Sequence, residues 1–457
     1  MDNRPKANRY TSAFISLTFL FFMWGFMTVL NDILIPYLKS AFELNYARAM
    51  LVQFAFFTSY FIGSLIYFII SFTKGDPISR IGYKKGIIIG LIISAFGALL
   101  FYPAAQFHLY GFFLSALFVM GLGFTLLQIA ANPYVAILGP EKSASSRLNL
   151  AQGFNSLGTT IGPVIGGFLI FTFFKDAQGS DAVKIPYLVF SALFLVMAAY
   201  ILITPLPRVI SDEKVTKGFG ALRYRQLLFG MAAIFMYVGG EVSIGSIMIS
   251  YFGLPEIGGL SKIDASKLVA FYWGGQMIGR FIGSISLSNI RNKLLKYLYM
   301  IIIAAASFAF IGIIDGFQTA LIYGLFLILN LLAFAIGKSL PHRTLFIFAL
   351  INIALLTISL NSTGIIAIWS LIGIGLFNSI MWSNIFTLAI SGLGKHVSQG
   401  SSLLVMMILG GAILPWIMGM VADNFGVHNA LIVPIFSYLY LAFYGINGYK
   451  PFKINML

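Results

Sequence analysis

The sequence predicts an all-α polytopic membrane protein of about fourteen spans, built from two related six-helix halves with an added helical hairpin. Three observations predict it: composition, the distribution of basic residues, and an internal repeat. Of 457 residues, 59% are hydrophobic and only 9% charged, against about 25% charged in a soluble globular protein. Such a chain keeps nearly all of its mass inside a bilayer.

A helix needs about 20 apolar residues to cross a membrane. On that measure, spans fall near 13–38, 47–72, 86–105, 110–138, 147–172 and 185–204. A polar linker at 205–225 carries Pro205, Pro207 and mixed charges. Eight more follow near 226–252, 266–287, 297–314, 317–336, 344–360, 364–391, 398–421 and 427–446. The organisation is thus an N-terminal six-helix half over 1–204, a linker over 205–225, and a C-terminal half over 226–457. The first apolar run is too long for a signal-peptide core and reads as a retained span.

Basic residues mark the cytoplasmic side of a membrane protein. With the N-terminus inside and the spans alternating, 22 of the Lys and Arg residues fall in cytoplasmic segments, 6 in outer segments, and Arg280 inside a span. Both termini are therefore expected in the cytoplasm. The net charge of +15 serves this orientation and not nucleic acid, because the basic residues are spread over short loops.

The repeat is visible as constant offsets. Gly121, Gly123, Asn132, Gly158, Pro163 and Gly167 fall on Gly373, Gly375, Asn384, Gly410, Pro415 and Gly419 at an offset of 252. Phe61 to Ser64 match Phe281 to Ser284 at 220, and Phe22-Met23 match Phe235-Met236 at 213. The rise between Ser284 and Gly373 corresponds to one inserted hairpin, expected near 297–336, with the choice of two extra spans among the three in that interval left open by the sequence. An even number of added spans preserves sidedness. Two repeated halves are the architecture of many secondary transporters.

Several function classes lose their chemistry at once. There is no cysteine, hence no disulfide, thiolate nucleophile or cysteine-ligated metal. The four histidines, at 108, 342, 396 and 428, lie near span ends and make no ligand cluster. No metal site and no organic cofactor are expected. A membrane-embedded enzyme would want clustered acids, and only isolated ones are present. A non-transporting sensor would want an output domain, and no extramembrane segment is long enough.

What remains is a set of polar side chains at membrane depth. Gln128 and Asn132 are four apart and share a helix face, as do Gln152 and Asn155 at three apart. A buried amide without a partner costs a few kcal/mol, so four of them point to a wet cavity or a polar ligand; interhelical bonding is the plain alternative. Asn384 is the repeat partner of Asn132. Amides suit a polar ligand because each donates and accepts, and Trp24, Tyr134, Trp273 and Trp382 could stack on a flat ligand face, although core packing is the more ordinary role.

Three charges lie inside spans: Asp32, Glu241 and Arg280. Such residues are costly and read as functional. Pro36 cannot donate to the carbonyl of Asp32, which weakens the helix there. Glu241 sits beside Gly239 and Gly240, about one turn from the repeat position of Asp32. Two acids in apolar spans are candidates for proton coupling, and Arg280 for gating or an ion pair.

The loop Gly75-Asp76-Pro77-Ile78-Ser79-Arg80-Ile81-Gly82-Tyr83-Lys84-Lys85 resembles the signature loop of the major facilitator superfamily, with Ser79 in the place of its aspartate and Arg80 matching a gating position. Within that superfamily the chain resembles the fucose–proton symporter family, including its glucose/galactose branch. The resemblance rests on Asn31-Asp32-Ile33-Leu34-Ile35-Pro36, Ala130-Ala131-Asn132-Pro133-Tyr134, Arg147 to Gln152 with Asn155, and Gly240 to Ser246. It implies a major facilitator fold with Asp32 in proton coupling and Gln152 and Asn155 on the sugar. Fucose carriers have a second acid where this chain has Gln128, which shifts the expectation toward glucose/galactose.

The expected protein is a proton-coupled symporter of the plasma (inner) membrane that imports a neutral hexose by alternating access and functions as a monomer. Asp32 and Glu241 carry protons; Gln128, Asn132, Gln152, Asn155, Asn31 and Asn384 bind substrate; Arg280 and Arg80 gate. The alternatives left open are another small polar solute, sodium coupling, or the sugar sensor.

Overall fold

The computed structural model describes residues 7–44, 51–167, 183–207 and 218–451, with only the backbone for some positions inside helices. Every described segment of length is helical. In a bilayer no water answers the backbone, so an α-helix, which satisfies its own N–H and C=O groups, is the structure an apolar run of this length adopts.

The helices in order are α1 (Ala7–Ala41), α2 (Leu51–Lys74), α3 (Tyr83–Leu99), α4 (Tyr110–Ile137), α5 (Ala144–Gly167) and α6 (Lys184–Ile203). Then come α7 (Arg225–Phe252), α8 (Lys262–Ser286), α9 (Lys293–Asp315), α10 (Phe317–Gly337) and α11 (Pro341–Asn361). The next span is broken into α12 (Gly364–Asn378) and α13 (Met381–Ile390), the one after it into α14 (Val397–Met406) and α15 (Gly410–Phe425), and α16 (Ile432–Phe443) closes the series. Each of the fourteen expected spans thus has its helix. Among the described residues eleven are long and apolar enough by themselves to cross a membrane, and α1 contributes the shorter apolar stretch Ala13–Thr28. Helices α5 and α8 fall short because they carry the polar load, Gln152 and Asn155 on one, Gln276 and Arg280 on the other.

The chain forms two compact units. The first holds 1–139, 154–221 and 393–406; the second holds 140–153, 222–392 and 407–457. The two exchanged segments, 140–153 and 393–406, lie almost at the repeat offset of 252 from one another, so the exchange follows the internal symmetry.

In the first unit α3 packs on α4 and α6, α2 packs on α4, and α14 lies against α2 and α4. In the second, α11 packs on α12 and α16, α8 on α12, and α7 on α15 and α16. Helices α9 and α10 form a hairpin closed by a single residue, Gly316, at φ +89°, a backbone conformation that only glycine adopts freely. The hairpin packs on α8, α11 and α12. Much of it is exposed, with Ile313 at 84% and Leu325 at 68%, an apolar surface that suits lipid.

The repeat seen in the sequence is a repeat of contacts. A Cβ placed on Gly158 of α5 would stand 2.2 Å from the carbonyl oxygen of Phe22 on α1. One placed on Gly410 of α15 would stand 2.0 Å from the carbonyl oxygen of Phe235 on α7. In each unit a glycine lets two backbones touch, as small residues do between membrane helices.

Candidate functional site

The polar side chains singled out above fall into clusters within each unit. In the first unit Gln128 and Asn132 occupy one face of α4 and are both buried. Asn132 donates from Nδ2 to Oε1 of Gln128 at 3.1 Å, the i,i+4 pairing that their spacing predicts. Tyr60 of α2 faces Gln128 and Trp24. Asn155 of α5 donates to the carbonyl of Phe21 on α1 at 3.0 Å, beside the Gly158 contact, so this amide also ties two helices together. Gln152 is buried at 7% exposure and belongs to the second unit. The backbone of Asn31 and Asp32 lies in α1; their side chains lie outside the described residues.

In the second unit Asn149 of α5 donates to the Ser145 carbonyl at 2.8 Å and to Oδ1 of Asn384 at 3.3 Å. Asn384 in turn donates to the Pro341 carbonyl at 3.2 Å. Next to them Ser145 and Thr387 share a 2.6 Å hydrogen bond. The indole Nε1 of Trp382 is buried with no hydrogen-bond partner among the described residues, a donor free for a ligand or a water.

The largest polar cluster surrounds Glu241, which is half-buried on α7. Tyr237, one turn earlier, donates to Glu241 Oε1 at 2.5 Å. Tyr272 of α8 donates to the Glu241 backbone carbonyl at 3.1 Å. The guanidinium of Arg280 and the amide of Gln276 lie beside the carboxyl, and Arg280 Nη2 donates to Gln276 Oε1 at 3.2 Å.

Behind this group stands a residue that sequence reasoning missed. Asn378, fully buried at the end of α12, donates from Nδ2 to Tyr272 Oη at 2.9 Å. Its Oδ1 accepts from Tyr438 at 2.8 Å and from Asn352 at 2.9 Å. The same rule that picked out Gln128 and Asn132, an amide within an apolar run, applies equally to Asn352 and Asn378.

Arg80 sits on the short helix Pro77–Ile81 and donates to the backbone carbonyl of Lys74. The acid of this loop is Asp76, which caps the short helix. Its carboxylate accepts from the Ile78 amide at 3.2 Å, from Ser79 Oγ at 2.9 Å, and from the Tyr67 hydroxyl. Burial pushes the Asp76 carboxyl above the usual carboxylate range, against the opposing pull of those donors.

Among the stacking candidates, Tyr134 is fully buried, stacked on Tyr83 with centroids 5.3 Å apart, and donates to the Pro207 carbonyl at 2.7 Å. It is a core residue. Trp24 packs edge-on against Phe21 and tilted against Phe124. Trp273 is 44% exposed. Among the described residues no group of three His, Asp or Glu could hold a metal.

Two repeated helical units, each with ionisable or amide side chains at membrane depth, define a multi-pass membrane transport protein. Residues 14–342 match the model of the Major Facilitator Superfamily, and the chain belongs to that family. It is 45% identical over 447 residues to the glucose/galactose transporter of Brucella abortus biovar 1 (strain 9-941), covering 96% of this chain and 95% of the relative. It is 32% identical to the L-fucose-proton symporter of Escherichia coli (strain K12), over 94% of this chain and 91% of that one. The crystal structure of the E. coli fucose:proton symporter FucP aligns with a TM-score of 0.75 at 30% identity, covering 95% of this chain and 98% of that one. The human organic anion transporter MFSD10 aligns at 0.61 with 14% identity, over 97% of this chain and 100% of that one, a likeness of fold alone.

Proposed function

We propose that the chain is a proton-coupled symporter that imports a neutral hexose, glucose or galactose before fucose, by alternating access. The carrying observation is the Glu241 cluster: a carboxyl inside a membrane span, hydrogen-bonded by Tyr237 at 2.5 Å with Arg280 beside it. An acid so placed can take and release a proton, and that is what a coupled carrier requires. The relatives named as sugar transporters support the substrate class. In this reading Asp32 and Glu241 exchange protons. The amides of Gln128, Asn132, Gln152, Asn155, Asn31 and Asn384 meet sugar hydroxyls, and Arg280 and Arg80 set the gating. The proton is the coupling ion and no organic cofactor takes part. We place both termini in the cytoplasm and the chain in the inner membrane as a monomer. Helices α9 and α10 are the inserted hairpin, since α11 packs on α12 and α16 as α3 packs on α4 and α6.

The test is Asp32→Asn in proteoliposomes, which mimics the protonated acid at nearly unchanged volume. Exchange of labelled sugar between two sugar-filled compartments needs no net proton movement and should survive. Accumulation driven by a proton gradient should be lost. Accumulation retained by the variant, or driven in the wild type by sodium alone, overturns the assignment.

A further inference from the structure

We infer that Tyr237 is a relay between the protonation of Glu241 and the break in the membrane helix at Asn378–Ile380, with Asn378 as the residue that positions the break. The inference rests on the proton-coupled reading above for its purpose, but not for its geometry.

The span over 364–390 is not one helix. Helix α12 ends at Asn378 and α13 begins at Met381. A break inside a span frees backbone carbonyls that no water can answer, so side chains must. Two do. Arg280 Nε donates to the Ser379 carbonyl at 3.2 Å, and the Tyr237 hydroxyl lies 3.3 Å from the Asn378 carbonyl. These are the same two side chains that flank the Glu241 carboxyl. The Asn378 amide fixes its own backbone by bonding Tyr272, Tyr438 and Asn352, from α8, α16 and α11.

Tyr237 has one proton and two acceptors. With Glu241 charged, the carboxylate is the stronger acceptor, and the proton points there at 2.5 Å. The Asn378 carbonyl then has only a long contact. When Glu241 binds a proton, its own O–H can donate to the tyrosine oxygen. The Tyr237 proton is then released to turn to the Asn378 carbonyl and complete the break. No bond other than hydrogen bonds changes, and one proton is gained by the carboxyl. The titratable and charged groups that face Glu241 are Tyr237 on its own helix, Tyr272 and Arg280 on α8, and Tyr438 on α16; α12 brings the neutral Asn378. The break is therefore held more firmly when the acid is neutral.

The test is hydrogen exchange of the peptide spanning Asn378 to Asn384 in the full-length protein in nanodiscs, all at one pH and without sugar. Glu241→Gln mimics the neutral acid. It should slow exchange in that peptide about fivefold, the scale of one net hydrogen bond. In a Tyr237→Phe background the same substitution should change exchange by less than twofold. A merely structural tyrosine would shift the baseline and leave the response to Glu241→Gln intact. Should Tyr237→Phe fail to fold, Asn378→Ala, which keeps the carbonyl but releases its anchors, must abolish the response instead. No effect of Glu241→Gln, or an equal effect in both backgrounds, overturns the relay. Wild-type protein that never accumulates hexose overturns the transport reading, and the exchange result still decides the relay.

Discussion

Gly158 and Gly410 offer a direct test of the repeated architecture. Alanine at Gly158 would place a methyl carbon 2.2 Å from the Phe22 carbonyl oxygen, and alanine at Gly410 one 2.0 Å from that of Phe235. A comfortable carbon–oxygen contact is about 3.3 Å, so each pair of helices must part by roughly 1 Å. The obstacle is backbone, which cannot rotate aside. Overpacking of this kind costs about 1–3 kcal/mol, or very roughly 2–10 °C in Tm at the scaling of a domain of this size. The control is Gly111, inside α4, where a Cβ meets nothing within 4 Å. There alanine should be neutral or slightly stabilising because it is the better helix former. Thermal unfolding of the three purified variants in one detergent decides the matter. The two contact variants should fall together and Gly111→Ala should not. If Gly158→Ala and Gly410→Ala melt with the wild type, the close approaches are not real, and the structural equivalence of the two halves falls with them.

Three other outcomes are expected. Gln152→Ala should weaken hexose binding about tenfold by calorimetry while the circular dichroism spectrum is kept; unchanged affinity removes Gln152 from the site. Asp76 binds its proton more tightly folded than unfolded, so between its ordinary pKa of 3.8 and its raised value the folded state holds more protons and stability falls as pH rises. Asp76→Asn should flatten that part of the Tm–pH curve, and an unaltered slope refutes the assignment. Lys296, buried on α9, donates to the Ser286 and Ser288 carbonyls at 3.1 and 2.8 Å and to Ser339 Oγ at 3.0 Å. Lys296→Met should leave those acceptors unanswered and cost about 1–3 kcal/mol, seen as a lower Tm with sugar exchange rates kept; lost exchange at unchanged Tm would argue that the hairpin takes part in transport.

Much of this was legible in the sequence because membrane helices obey local rules. Apolar length alone set the fourteen segments, and the i,i+4 rule put Gln128 against Asn132. Glu241 announced itself as an acid within an apolar span. The break at Asn378–Ile380 did not, because no proline or glycine marks it and the run over 364–391 reads as one uninterrupted span. Its cause is tertiary: Asn378 is held by residues 26, 60 and 106 positions away in sequence. No periodicity within a window can reveal partners at those separations. The capping of the short helix Pro77–Ile81 by Asp76 was hidden for the opposite reason. The signature loop directed attention to Ser79, while the acid stands three residues earlier.

The exchange of residues 140–153 and 393–406 bears on how the protein is made. Helix α14 lies against α2 and α4. From within it, Gln399 anchors the linker, accepting from the Ala221 amide at 3.0 Å and donating to the Gly218 carbonyl at 3.1 Å. A ribosome releases α2 and α4 long before it reaches Leu393. Through that interval the first unit must wait in the membrane with the seat of α14 unfilled, its carbonyls and its groove open to lipid or to an insertion factor. Long sequence separation slows folding, and here it places the closing step of the first unit near the end of translation. A chain shortened before Leu393 would therefore leave both units incomplete, and cellular quality control would meet the N-terminal half as an unfinished one.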